Sequence, residues 1–381
     1  MDKSESLPVL YIRARNHYDV GFAIGTSFKG WIQDYMETSD EVKRYKAFYT
    51  DKGGRKLVDK YLSTGCETYP TYIAEVQGMA DGSEVKFEDL FLLQISSELK
   101  FCHLKEGHIE KEDIANAGKG CTDVLVNGKS CRMIGHNDDW TADVSSRVYI
   151  VHVTIADENE RVIEQFVSFS YPGYLTGFCF GMNKSLVISL NSLSPKTANR
   201  SGVPVAILLR SLLACSSIEE CTSAMECKPC GSAYGMNINI ATVHGTEMCS
   251  MEVYPQQGKS DVKLRYVPTE EESSDQKCYL FHQNHYKHIS AEEIGPCTGS
   301  RLRDKRTNEM PPPKTVYDVR VILGDTKDDV EPIYRIPSAS HYAPYVKTAA
   351  TGIFSINEKL LYVYRSNPKL AAAPCLILPF L

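Results

Sequence analysis

A cysteine thiolate is a strong nucleophile, but it needs a proton acceptor and a donor for the oxyanion it creates. One cysteine of this chain stands where such help could be local. Gly118-Lys119-Gly120 ends a polar stretch, 102–119, rich in Lys, Glu and His and read as an exposed loop. Cys121 then opens an apolar run, Thr122–Val126, that reads as a strand. If the bond between Gly120 and Cys121 is cut, the freed α-amino group has a reference pKa of ~7.7–8.0 and can take the thiol proton near neutrality. No histidine is then required. Gly120 lacks a Cβ and leaves its carbonyl open to the Cys121 sulfur. That attack gives a thioester, which water resolves into pieces 1–120 and 121–381. A second Gly-Cys pair, Gly65-Cys66, lies in a region that reads as a helix end and is followed by Glu67.

Two further blocks could serve this chemistry. Gly135-His136-Asn137-Asp138-Asp139-Trp140 closes the next strand, after an Asn127-Gly128 pair suited to a tight hairpin turn. Pairing across that turn returns the block to Cys121, where Asp139 could orient the new ammonium. Alone, the block reads better as a polar turn with a capping carboxylate. Asn237, in Gly235-Met236-Asn237-Ile238-Asn239-Ile240-Ala241, opens a buried-looking strand and could donate to an oxyanion. Alone, it reads better as a turn asparagine.

The elements that must hold these residues follow from periodicity. A strand is expected at 7–12 and helix from about Tyr18 through Tyr35, with Gly21 and Gly25 on one side for close approach to another element. Helix is expected over 38–60, broken at Gly53-Gly54, and at 69–81 and 87–99. Strands follow at 148–155, 162–169, 178–181, 186–190, 236–243, 247–253 and 263–267, with helices at 203–213 and 218–225. Helices near 291–294, 299–309 and 315–323 and a hairpin over 351–364 complete the order. The expected class is α+β: two mainly antiparallel sheets with helices outside them, in one domain.

Composition narrows the function. At 381 residues, with 43% hydrophobic and 24% charged residues, the chain reads as an ordinary globular protein. A formal charge of −6 argues against nucleic acid or a membrane surface as partner. No apolar run approaches the ~18–20 residues of a membrane span, and Met1–Ser6 has no apolar leader. Thirteen cysteines, an odd number, fit free thiols in a reducing, cytoplasmic setting. The C-terminal Leu-Pro-Phe-Leu is not a peroxisomal address.

Gly120-Cys121-Thr122, the Gly-His-Asn-Asp-Asp-Trp block and Gly-Met-Asn-Ile-Asn-Ile-Ala together resemble the peptidase C45 / acyl-coenzyme A:6-aminopenicillanate acyltransferase family of N-terminal-nucleophile hydrolases. The likeness extends to His17–Gly25, Met251–Pro255, His282–His285 and the helix with Ser300 and Arg301. It implies an αββα sandwich, self-cleavage before Cys121, Asp139 near the amine and Asn237 as oxyanion donor. Many members read Gly-Gln-Asn-Trp-Asp in the second block; here Asp138 stands in place of the tryptophan. That extra carboxylate, with Glu252 in the Met-Glu-Val-Tyr-Pro block, is a candidate for binding a cationic substrate. Within the family the chain most resembles animal hydrolases of β-alanyl amines. This implies N-β-alanyldopamine and carcinine as substrates, no cofactor, and cleaved pieces that stay together, with oligomers open. Acyl transfer to an amine is the close rival. Another class, a non-enzymatic thiol or metal-binding protein, would rest on Cys227-Lys228-Pro229-Cys230. His282, His285 and His288 read as polar loop residues, not as a ligand set.

Overall fold

The computed structural model describes residues 7–105, 120–272, 277–337 and 346–381. The chain starts with β1 (Val9–Ala14) and then builds a helical segment: α1 (His17–Ser27), α2 (Lys29–Thr38), α3 (Asp40–Thr50), α4 (Lys52–Thr68), α5 (Pro70–Ser83), α6 (Phe87–Gln94) and α7 (Ser96–Lys105). Caps set the boundaries. Asn16, Ser39 and Asp51 accept backbone N–H groups at the starts of α1, α3 and α4. Pro70 opens α5, where a missing N–H costs nothing. The break expected at Gly53-Gly54 falls at Asp51 instead. That carboxylate takes the N–H groups of both glycines and folds them into the first turn of α4. Of the stretch expected as loop, 102–105 continue α7 and 106–119 lie outside the described residues.

Strands dominate afterwards: β2 (Gly120–Asn127), β3 (Arg132–Thr141), the short α8 (Ala142–Ser145), β4 (Tyr149–Ala156), β5 (Val162–Ser170), β6 (Phe180–Asn183) and β7 (Leu186–Ser192). Helices α9 (Val205–Leu212) and α10 (Ile218–Glu226) precede β8 (Met236–Thr242), β9 (Met248–Tyr254), β10 (Asp261–Tyr266) and β11 (Tyr279–His282). The chain ends with α11 (Thr298–Glu309), α12 (Val316–Leu323), β12 (Val346–Ser355), β13 (Leu360–Tyr364) and β14 (Leu376–Pro379). The expected helix at 291–294 does not form: Glu293 bridges to Pro195, and Gly295-Pro296 end the segment. Strand β14 has no counterpart among the expected elements.

An eight-stranded sheet runs β1-β4-β5-β6-β7-β8-β9-β10, and a six-stranded sheet runs β11-β2-β3-β12-β13-β14. Only the β1–β4 pair is parallel among the pairings of these sheets. The sheets face each other, with β2 and β3 against β7 and β8. Helix α12 covers the outer face of the six-stranded sheet, where Val124, Val126, Met133 and Ile353 meet Val319, Ile322 and Leu323. Helix α1 lies on β1 and β4 of the other sheet, and α5 packs on α1. The layers are therefore αββα, as expected.

Glycines set the α1–α5 approach. A Cβ on Gly21 or Gly25 would stand 1.8 or 2.4 Å from the carbonyl oxygens of Glu75 and Met79. Gly78 and Gly82 return the same contact to Tyr18 and Phe22, at 2.0 and 2.4 Å.

The helical segment is tied to the later chain by charge as well as by packing. Arg210 of α9 is fully buried, with Nε on Glu75 of α5 (2.9 Å) and Nη1 on Glu164 of β5. Removing one partner of such a set strands the others in low dielectric. Arg210→Met should therefore cost about 3–5 kcal/mol, read as a lowered denaturant midpoint. Adding Glu75→Gln and Glu164→Gln to that variant should recover most of the loss; no recovery would show that the charges are not what matters.

Candidate active site

Side chains alternate along a strand, so residues two apart share a face. In the β2–β3 hairpin Cys121 pairs directly with Asp138, and Asp123 with His136. Cys121, Asp123, His136 and Asp138 thus form one patch on the face turned toward the other sheet. The Cys121 sulfur, a His136 ring nitrogen and an Asp138 oxygen all lie within 4.8 Å of one another.

Asp123 is buried with 0% exposure and is held from three sides. Its carboxylate accepts from His136 Nδ1 (2.9 Å), Asn191 Nδ2 (2.7 Å) and the Ser189 hydroxyl. Behind them stands a ladder on the opposing sheet. Asn237 donates to Asn191 Oδ1 (2.9 Å) and Asn239 Oδ1 (3.0 Å), and accepts from Ser250 Oγ (2.8 Å). His136 turns Nε2 toward Cys179 Sγ at 3.5 Å. Burial alone would strip this ring of its proton, but the Asp123 carboxylate prevails and holds His136 well above the usual imidazole range. Burial pushes the Cys121 thiol up, with His136 pulling it back. Asp138 is pushed up to about 6 by burial against the pull of His136. Among the described residues, its Oδ2 has no hydrogen-bond partner.

The other face of the hairpin, with Thr122 and Asp139, is held by cations. Arg303 of α11 donates to the Cys121 carbonyl (2.6 Å), to Thr122 Oγ1 (2.7 Å) and to Asn284 Oδ1 (2.9 Å). Asn284 Oδ1 also accepts from the Cys121 nitrogen at 2.8 Å. Asp139, opposite Gly120, accepts from Thr348 Oγ1 (2.7 Å) and pairs with Arg335 Nε at 3.1 Å. Arg335 also pairs with Glu331. Burial draws Arg335 down to about 10, with Arg303 adding to the pull and Asp139 opposing it.

Both faces meet at a cavity of about 750 Å³ whose wall includes Cys121, Asp138, Asp139, Trp140, Asn284 and Arg303. Trp140 and Phe178 give it an aromatic side, with ring centroids 6.0 Å apart.

The structure thus brings Cys121, Asp138 and Asp139 to one cavity. Asp139 stands on the opposite side of the hairpin from the Cys121 sulfur, because the two differ by one step in strand parity. The nitrogen of Cys121 is met directly by Asn284, to which the sequence reading gave no role. Asn237 does not line the cavity, and it donates both amide hydrogens within the core. Glu252 does not line the cavity either. It is buried away from the wall, accepting from the N–H groups of Lys287, His288 and Ile289 (2.6–2.8 Å) and from His282 Nε2 (3.0 Å). These bonds hold Glu252 down to about 2 in spite of burial. Its work is to fold the 283–289 turn that presents Asn284. Asn284 sits in a block whose resemblance was visible; Arg303 and Arg335 carried no local signal. Cys227 and Cys230 close a turn at the end of α10 and, among the described residues, belong to no group of three side chains placed to hold an ion.

Residues 126–370 match the family model for acyl-coenzyme A:6-aminopenicillanic acid acyl-transferase. A β-alanyl-dopamine/carcinine hydrolase of Drosophila melanogaster is 28% identical over 98% of this chain and 97% of its own length. An acyl-coenzyme A:6-aminopenicillanic-acid-acyltransferase 40 kDa form of Emericella nidulans is 21% identical over 77% of this chain and 74% of its own. Among solved structures, a conjugated bile acid hydrolase variant from Clostridium perfringens aligns with a TM-score of 0.36 at 12% identity, over 65% of this chain and 89% of its own.

Asn284→Leu removes the acceptor for the Cys121 N–H and for one Arg303 nitrogen. Leaving buried donors unpaired should cost about 1–3 kcal/mol, read as a lower denaturant midpoint. An unchanged midpoint would show that other acceptors replace it.

Proposed function

The chain belongs to the acyl-coenzyme A:6-aminopenicillanic acid acyl-transferase family, and from that premise we propose a self-cut amide hydrolase with Cys121 as nucleophile and β-alanyl amines as substrates. The observation that carries the reading is the position of Cys121. It opens β2 at the cavity wall with its own nitrogen fixed by Asn284. Once the bond after Gly120 is cut, that nitrogen is an amine beside the sulfur it serves, with a reference pKa suited to the task.

In turnover the amine takes the thiol proton, and the sulfur attacks the substrate carbonyl. The leaving amine carries the proton away, and water resolves the acyl thioester. Asp139, fixed by Arg335 and Thr348, keeps the strand end and the new amine in place. Asn237 acts one layer back, orienting Asn191 at the cavity wall. Pieces 1–120 and 121–381 stay joined, since Glu75 and the α1–α7 core pack against the later chain.

The substrate class rests on two supports. The Drosophila relative is named for β-alanyl substrates. The Asp138 carboxylate, buried beside Cys121 in the cavity wall, suits an ammonium, and the Trp140–Phe178 wall suits an aromatic amine. The Emericella relative favours a second reading, acyl transfer, in which an added amine instead of water takes the acyl group. Among the described residues, no helix is long and apolar enough to cross a membrane.

On a denaturing gel the wild type should run as two pieces and Cys121→Ala as one; an active, uncut wild type would end the proposal. Asp138→Asn should raise KM for a β-alanyl amine by about 10–100-fold, the worth of a hydrogen bond to a charged group. The matching propionyl amide, which lacks the ammonium, should be unaffected. Wild-type KM for the β-alanyl amine should climb as pH falls through about 6, where Asp138 loses its charge. Equal effects of Asp138→Asn on both amides would refute the ammonium contact.

A further inference from the structure

The freed amine cannot serve the step that frees it. Before the cut, the Cys121 nitrogen is an amide. Its lone pair is delocalised into the Gly120 carbonyl, and its hydrogen is already given to Asn284. Some other group must take the Cys121 thiol proton during self-cutting.

We propose that His136, backed by Asp123, is that proton acceptor, so that Cys121, His136 and Asp123 act as a triad used to mature the chain. This deepens the self-cut reading above and rests on it. The geometry has the parts a triad needs. The ring is buried on the same face as the Cys121 sulfur, within the 4.8 Å cluster. Its Nδ1 is fixed on the Asp123 carboxylate at 2.9 Å, which leaves Nε2 to take a proton. Asp123 is itself locked by Ser189 and Asn191, so the ring has one orientation. The Phe180 ring packs against the imidazole, with centroids 5.7 Å apart. Among the described residues, the other titratable groups against the imidazole include Cys179, at 3.5 Å from Nε2, and Asp138. Asp123 draws the imidazole well above its usual range, so the base is the neutral fraction of the ring, which grows as pH rises.

The step balances. Nε2 takes the proton from Cys121 Sγ, and the thiolate adds to the Gly120 carbonyl carbon. As that carbon–nitrogen bond breaks, the imidazolium gives its proton to the departing Cys121 nitrogen, leaving a thioester and a free amine. One water then adds to the thioester, yielding the Gly120 carboxyl group and the Cys121 thiol. After maturation the amine takes over as base.

The test follows conversion of newly made full-length chain into its two pieces over time on denaturing gels. His136→Gln keeps the volume but removes the base. It should slow cutting at least about 100-fold relative to wild type, within the range for loss of a general base. His136→Ala opens a space the size of the ring, and added imidazole should restore its cutting while leaving Cys121→Ala intact. A change of shape alone would not be repaired by a soluble base. Cutting of His136→Gln at wild-type pace overturns the proposal, and so does failure of imidazole to restore His136→Ala. A wild type that never cuts overturns the self-cut reading and this inference with it.

Discussion

The structure depends on one buried carboxylate. Asp123 lies between two sheets where a lone charge costs several kcal/mol, so its partners must be in place whenever the chain is folded. It takes His136 from its own sheet and Ser189 and Asn191 from the other. A one-residue slip of either strand would turn these groups to the wrong face. The same bonds therefore fix the hairpin register, the docking of the sheets and the orientation of the imidazole. The Asn237–Asn239–Ser250 ladder extends this order through the core.

The β2–β3 hairpin divides its work by parity. On the inner face are a thiol, an imidazole and two carboxylates; on the outer face Asp139 and Thr122 meet two buried guanidiniums. Between them runs the backbone of Gly120 and Cys121, with its carbonyl on Arg303 and its nitrogen on Asn284. For the proposed self-cut, a bond held from both sides is better placed than one in a loose loop, because near-attack geometry is then supplied by folding. Glu252 contributes at a distance, by shaping the turn that delivers Asn284.

A chain cut as proposed must also hold together. Arg210, Glu75 and Glu164 join elements from both sides of Gly120, and the glycine contact of α1 with α5 makes the helical cover a rigid unit. The main hydrophobic core includes residues of both segments, from Val20 and Leu90 to Phe166 and Ile238. Burial shared in this way does not depend on the covalent bond at Gly120.

The sequence by itself determined most of the strands and helices, though not β14 or the irregular 291–294, together with a hairpin after β2, the close approach of Gly21 and Gly25 and the cysteine that opens β2. All of these are local: period, turn chemistry and absence of a Cβ act within a few residues. It also expected the Asp138-Asp139 block to return near Cys121, but the register that pairs Cys121 with Asp138 comes from a turn at Lys129-Ser130, closed by mutual bonds of Gly128 and Cys131, and not from one at Asn127-Gly128. Only the tertiary structure decided which carboxylate shares the sulfur's face, that Asn237 spends its hydrogens inside the core, and that Glu252 builds a turn rather than a pocket. Arg303, Arg335 and Asn284 reach Gly120 and Cys121 from far along the chain, by the packing of α11 and the 283–289 turn on the sheet. Local pattern sets the face on which a side chain lies; it does not say what the opposing layer will bring to meet it.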